Sequence, residues 1–261
     1  MKSFNFKSAA NTKEAMKMAS GRATFLAGGM TLLPAIKLRL AAYSDLINIK
    51  KIKALSGIKV SSKSLRIGAT TTHAEVASSK EVGKSISSLA VLADGIGDPQ
   101  VRNRGTIGGS IANNDPAADY PSACLALNAT IHTSKRKIPA NKFFKGMFET
   151  DLKKGELIES VEFEVPEKSA YAKFPNPASR YAIVGVYVAK LKKEVRVAVT
   201  GVESFVFRCK KLEDALANNF SPSVIDNITI SSKGFNSDIH ASAEYRAHII
   251  KVMAKKAVSN C

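Results

Sequence analysis

The amino-acid sequence predicts an α+β protein in two parts: a larger mixed part, then a smaller part of antiparallel strands with helices. Three observations predict it. Short apolar runs alternate with helix-spaced windows through most of the first 165 residues. Three prolines, Pro166, Pro175 and Pro177, then punctuate "PEKSAYAKFPNPAS" and mark a linker. Beyond them, two apolar runs at hairpin spacing precede helical sequence. At 261 residues and 45% hydrophobic, the chain can bury a sizeable core as one large domain or two moderate ones.

Taken in order, "FNFKSA" reads as a strand. "NTKEAMKMAS" reads as a helix begun by Asn11 or Thr12 and stopped by Gly21. "TFLA" is a short strand running into Gly28-Gly29, after which "TLLPAIKLRL" has helical spacing, with Pro34 tolerated in its first turn. "DLINI" is a buried strand, and "GIKVSSKSLRIGAT" pairs two strands across a polar turn. Residues 72–97 are helical with interruptions, capped by Thr71 or Thr72 with Glu75 completing a capping box. "SACLALNATIHT" passes from helix into strand, and "ELIESVEFEV" alternates as a strand closing the larger part. After the prolines, "YAIVGVYVAKLKKEVRVAVTGV" gives two strands, while "KKLEDALANNF" and "ASAEYRAHIIKVMAKKAV" carry apolar residues at helical intervals.

Composition narrows the function classes. No window approaches 18 uncharged apolar residues, and "MKSFNFKSAANTKEAMKMAS" lacks the continuous apolar core of a secretory signal, so a soluble, cytoplasmic protein without a transmembrane segment is expected. Cys124, Cys209 and Cys261 are scattered and odd in number. His73, His132, His240 and His248 lack ligand spacing, so neither a disulfide framework nor a protein-built metal site is expected. The net charge of +17 raises the question of acidic or nucleic-acid partners. Only "NIKKIK", "SKRK", "KLKKEVR" and "RCKK" cluster, and none interleaves aromatics. Solvated faces therefore lead, acidic protein surfaces follow, and nucleic acid comes last.

The chemistry concentrates in two glycine pairs. Gly28-Gly29 sits between a strand and a helix, and Gly108-Gly109 opens "SIANNDPAADYP". Glycine lets backbone N–H groups approach an anion, and a helix starting just beyond adds its free N–H donors and dipole. Neither pair belongs to a GxGxxG or GxxxxGK[ST] fingerprint, and each taken singly is a tight turn. Together, flanked by Thr31, Thr106 and Ser110, they suit a diphosphate gripped from two sides. Asn113, Asn114, Asp115 and Asp119 add hydrogen-bonding groups, although turn and cap chemistry accounts for such residues equally well.

At these residues the sequence resembles the FAD-binding medium subunits of the molybdenum hydroxylases, the aerobic carbon monoxide dehydrogenase and xanthine dehydrogenase family. "FLAGGMTLLPAIKLR" resembles that family's first flavin loop and "IGDPQVRNRGTIGGSIANNDPAADYP" its second. "IGATTTHAEV", "KFPNPASRYAIVGV", "RVAVTGV" and "SAEYRAHIIKVMAKKA" extend the likeness over nearly the whole chain. The resemblance implies a two-subdomain FAD-binding fold of the p-cresol methylhydroxylase and vanillyl-alcohol oxidase type. That domain would span residues 1–166, split near 55, and be followed by a C-terminal domain over 167–261. It implies that Ala27, Gly28, Gly29, Met30, Thr31 and Leu32, with Thr106, Gly108, Gly109 and Ser110, clasp the FAD pyrophosphate. Asn113, Asp115 and Asp119 would serve the adenosine or ribityl side or support the loop. Lys173 and Tyr181 to Ile183 would lie near the isoalloxazine, with Thr71 and Ile96 as further lining. Met30 departs from the polar or smaller residue common in the family, leaving its backbone N–H or apolar packing as its contribution.

By the same resemblance, no residue of this chain is catalytic in hydroxylation, which belongs to a molybdenum-cofactor large subunit. Electrons would arrive through [2Fe-2S] clusters of a small subunit and leave to an external acceptor, in a dimerised heterotrimer. Two rival expectations stand beside it: a free-standing FAD oxidase or dehydrogenase, and a basic nucleic-acid-binding or scaffold protein whose glycine pairs are mere turns.

Overall fold

The computed structural model describes residues 2–261. The chain begins with β1 (Asn5–Ser8), α1 (Thr12–Met18), β2 (Ala23–Leu26), α2 (Leu32–Lys37) and β3 (Asp45–Asn48). Helical crossovers make this three-stranded sheet parallel, in the order β1-β3-β2. The central strand β3 carries "DLIN", with Leu46 and Ile47 buried. Asn11 caps α1 by accepting from the Glu14 N–H at 3.0 Å, and Glu14 returns by accepting from the Ala10 N–H at 2.7 Å.

A hairpin of β4 (Ile58–Val60) and β5 (Ser64–Gly68) opens the second layer. Six helices follow: α3 (His73–Ser78), α4 (Lys80–Ser85), α5 (Ser87–Asp94), α6 (Pro99–Arg104), α7 (Ile107–Asn113) and α8 (Tyr120–Ala126). Thr72 and Glu75 form the expected capping box at α3. Then come β6 (Thr130–Thr133), β7 (Lys137–Pro139), α9 (Ala140–Phe143), the small hairpin β8 (Phe144–Gly146) and β9 (Glu149–Thr150), and β10 (Ile158–Glu164). The five-stranded sheet is antiparallel in the order β4-β5-β10-β6-β7.

The last layer holds β11 (Lys168–Pro175), β12 (Ala182–Lys190), β13 (Val195–Thr200), β14 (Phe207–Arg208), α10 (Lys210–Asn218) and α11 (Ala243–Ser259). Here one expectation is corrected. The proline-bearing stretch read as a linker is β11, which pairs with β12 from Lys168 to Pro175. It stands at the sheet edge, where proline is tolerated, and the register shifts between Phe174 and Pro175. Only Val165, Pro166 and Glu167 separate it from β10.

This sheet serves two cores. One face adds Tyr171, Tyr187, Ala189 and Ala198 to the core built from β5, β10 and helices α3, α4, α5, α7 and α8. The other packs Val184, Val186, Val197 and Val199 against α10 and α11. Polar ties fix the junction: Ser88 and Tyr187 hydroxyls meet at 2.6 Å, and the Thr200 hydroxyl donates to the Pro116 and Ala118 carbonyls. Several charges of the basic clusters are also paired with carboxylates of the same chain. Arg136 pairs with Glu156 and Asp151, Arg196 with Glu194, and Arg208 with Glu213 and Glu194.

Candidate functional site

The two glycine segments meet. β2 runs out through Ala27 to Thr31 and turns into α2, with Gly29 at φ +76°. Across from it, α6 ends at Arg104 and Gly105, and Thr106 caps α7 by accepting from the Gly109 N–H at 3.1 Å. Gly28 lies directly on that turn. A Cβ there would overlap the Arg104 carbonyl oxygen and stand 2.8 Å from the Gly105 Cα. The turn is held from behind by the β5–α3 connection. The His73 N–H donates to Gly105 O (3.0 Å), the Ile107 N–H to Thr71 O (3.2 Å) and the Gly108 N–H to Ala69 O (2.9 Å).

Between these segments opens a cleft of about 690 Å³. Of the residues singled out from the sequence, Ala27, Gly28, Gly29, Met30, Thr31, Leu32, Thr106, Gly108, Gly109, Ser110, Asn113, Asp115, Asp119 and Tyr181 all line it, as does Ile96. Thr71 and Lys173 do not. Thr71 is buried, its hydroxyl paired with the Gly57 backbone. Lys173 stands against Asp119: its Nζ is 2.9 Å from the carboxylate and donates to Gly95 O (2.8 Å) and Arg180 O (2.9 Å). Its charge is neutralised inside the protein rather than presented to the cleft. Ile183 lies beyond Tyr181, on a neighbouring cavity.

The two segments differ in what they leave free. The N–H groups of Gly28, Gly29, Met30 and Thr31 have no protein acceptor among the described residues, whereas those of Gly108, Gly109 and Ser110 are all paired. Four successive donors without acceptors, all in residues that line the cleft, suit an anion bound there. Opposite them, Gly109 has an open face. A Cβ there would meet only the Thr106 hydroxyl, at 3.0 Å, so its bareness serves the cleft and not the packing of the protein.

Sequence reasoning missed part of the wall. Thr24, Phe25 and Leu26 of β2, Tyr43, His73, and Lys154 to Leu157 before β10 also face the cleft. β2 is half-buried along its whole length and shows no alternation that would flag a ligand face. The 154–157 segment arrives through strand order alone. His73 was within a quoted block, where its capping neighbours masked it.

Burial governs the ionisable groups. Asp119 is buried at the edge of the cleft, and burial pushes its carboxyl upward against the opposing pull of Lys173 and of the Tyr171 hydroxyl, which donates to it at 2.5 Å. Burial likewise raises Asp115, whose Oδ1 accepts from the Ala117 N–H at 2.9 Å. Burial and the Arg102 charge depress His73 to about 4, so it is neutral at physiological pH. Its Nδ1 and the Tyr120 hydroxyl nearby are buried without partners among the described residues.

The arrangement fits a diphosphate-bearing cofactor. It offers unpaired donors at one loop, a bare glycine opposite, and carboxylates for hydroxyl or ring N–H groups. Its volume falls in the upper half of the range of about 300–1,000 Å³ usual for ligand sites.

Comparison with known proteins follows the same lines. The family described as "FAD binding domain in molybdopterin dehydrogenase" matches residues 2–167, and "CO dehydrogenase flavoprotein C-terminal domain" matches 169–261. The chain is 36% identical to the glyceraldehyde dehydrogenase medium chain of Sulfolobus acidocaldarius, covering 97% of this chain and 96% of that one. It is 32% identical to the carbon monoxide dehydrogenase medium chain of Hydrogenophaga pseudoflava, over 91% and 88%. Among solved structures, carbon monoxide dehydrogenase from Hydrogenophaga pseudoflava superimposes with a TM-score of 0.90 at 30% identity, covering 99% and 97%. The reconstituted enzyme from Oligotropha carboxidovorans gives 0.92 at 26% identity, with the same coverage.

Proposed function

Because the chain belongs to the family of FAD-binding medium subunits of molybdenum hydroxylases, we propose that it is the FAD-carrying electron-transfer subunit of such an enzyme. It takes electrons from the [2Fe-2S] clusters of a small subunit and passes them to an external acceptor. Hydroxylation takes place at a molybdenum-cofactor large subunit, and the three chains pair as a dimer of heterotrimers in the cytoplasm. Among the described residues no helix is long and apolar enough to cross a membrane. We divide the chain into an FAD domain to residue 166, in two subdomains meeting near 55, and a C-terminal domain from 167.

The convergence of residues 27–31 and 106–110 on one cleft is the observation that supports this reading. When bound, the isoalloxazine supplies the electron-accepting and electron-donating chemistry. The N–H groups of Gly28 to Thr31 would hold the diphosphate, with the Ser110 hydroxyl and Asn113 facing it. Asp115 and Asp119 offer acceptors to hydroxyl or ring N–H groups, and Lys173 with Tyr171 keeps Asp119 oriented. Tyr181, partly exposed in the cleft lining, would cover a ring.

Gly109→Val tests the assignment, since its side chain enters the cleft and meets little else. The variant should fold with wild-type circular dichroism yet retain no flavin absorbance after reconstitution with FAD. Full occupancy would defeat the reading.

A further inference from the structure

His73 lines the cleft, yet the assignment above gives it no part. From its placement we propose that His73 is a further cofactor-binding residue, donating a hydrogen bond from Nε2 to an acceptor of the isoalloxazine; the inference rests on the flavin reading.

The fold fixes this imidazole from several sides. His73 is the first residue of α3, directly after the N-cap of the Thr72–Glu75 box. Its backbone N–H donates to Gly105 O at 3.0 Å, and Thr72 bridges to Thr106. The ring is buried against Tyr120 of α8, with centroids 5.3 Å apart. Its two nitrogens are placed differently. Nδ1 is sealed in the interior without a partner among the described residues, whereas Nε2 lies against Gly105, which lines the cleft. A proton on Nδ1 would bury an N–H with no acceptor in reach, so the proton belongs on Nε2. Arg102 of α6 is the charge beside the ring, and with burial it keeps the imidazole neutral. The Nη1 of Arg102 is itself committed to the Ile96 and Gly97 carbonyls.

Gly105 is bare for the sake of this ring. It sits at φ −60° and ψ 145°, backbone that any residue adopts, so conformation does not call for glycine. A Cβ there would stand 2.5 Å from Nε2 and 2.8 Å from Cδ2, displacing the imidazole edge from the cleft wall.

The neighbours identify the part of the cofactor that Nε2 meets. Gly105 donates its N–H to Val101 O at 2.7 Å, and Val101 packs on Gly97. Arg180 Nη1 donates to Gly97 O at 3.2 Å, which draws the Tyr181 segment to the same end. Ile96, Val101 and Tyr181 give that end the apolar and aromatic surface a fused ring requires. The diphosphate has its own donors in Gly28 to Thr31, while Gly108, Gly109 and Ser110 have no N–H to spare. Nε2–H is thus an uncharged donor on the side where the backbone offers none. The isoalloxazine presents carbonyl oxygens and ring nitrogens as acceptors, and a donor held against them favours the electron-rich reduced ring.

The test uses the full chain carrying 15N-labelled histidine. Loading with FAD should shift the Nε2 resonance of His73, identified by its loss in His73→Phe, and Nδ1 should stay unprotonated throughout. His73→Phe should bind FAD about fivefold more weakly, the loss of one neutral hydrogen bond, and its bound flavin should be reduced at a more negative potential. ADP, which has the diphosphate without the ring, should bind both chains alike. His73→Gln keeps a side-chain N–H and should recover most of the FAD affinity. An Nε2 resonance unmoved at full FAD occupancy, wild-type FAD affinity in His73→Phe, or ADP binding weakened as much as FAD binding would overturn the proposal. Failure of the unmodified chain to take up FAD would instead defeat the flavin reading.

Discussion

Gly108 and Gly109 are adjacent, yet different surroundings keep each one bare. A Cβ on Gly108 would come within 2.6 Å of both the Cβ and the carbonyl oxygen of Ala69, on backbone that anchors α7 and cannot yield. Gly108→Ala should therefore cost about 1–3 kcal/mol, the range for overpacking, read by urea unfolding. Gly109→Ala should leave stability unaffected. His73 offers a second residue-scale outcome. Its folded pKa of about 4 lies below the ordinary 6.5, so the unfolded chain binds a proton that the folded chain refuses. The resulting stability is fully present above pH 6.5 and is lost as pH falls toward 4, by at most about 3 kcal/mol. Thermal melts of His73→Phe across that window should show a flatter pH dependence than the unmodified chain.

At the scale of the element, β11 is the instructive strand. Its sequence read as a linker because proline ordinarily breaks strands, and nothing local reveals that this strand has only one neighbour. What fixes it is tertiary. Tyr171 and Lys173, two apart and so on one face, both reach the Asp119 carboxylate that begins α8. Lys173→Met would leave a buried carboxylate with Tyr171 as its remaining side-chain partner. Removing one partner of a buried pair costs about 3–5 kcal/mol, and denaturant unfolding should register it. Asp119→Asn in the same chain should recover a large part of the loss, because no uncompensated charge then remains.

Across the whole molecule, legibility divides along physical lines. Caps, hairpin spacing and helical periodicity are local, and Asn11, the Thr72–Glu75 box and the β12–β13 pair stood where the sequence placed them. The glycine segments were legible as loops of bare, side-chain-poor backbone. That they meet was expected from the diphosphate they could share, whereas the contact that joins them, Gly28 against the Arg104 carbonyl, was not, because it depends on how β2 and α6 are brought together in three dimensions. The wall from Lys154 to Leu157 and the burial of Lys173's charge are of the same long-range kind. A ligand that binds only the folded chain stabilises all three layers at once. FAD at a hundred times its dissociation constant should add about 2.7 kcal/mol, seen as a rise in melting temperature that Gly109→Val does not share.

At Gly28 the first parallel sheet meets the helical layer main chain to main chain, against the Arg104 carbonyl, with no side chain at that point to swing aside. A jaw that pivots open needs compressible material at its corner, and here there is none. The aperture is therefore set once, at folding, and a cofactor must thread through a rigid keyhole. Exchange of the bound flavin should accordingly be slow in the native protein and quicken only when the corner itself comes apart.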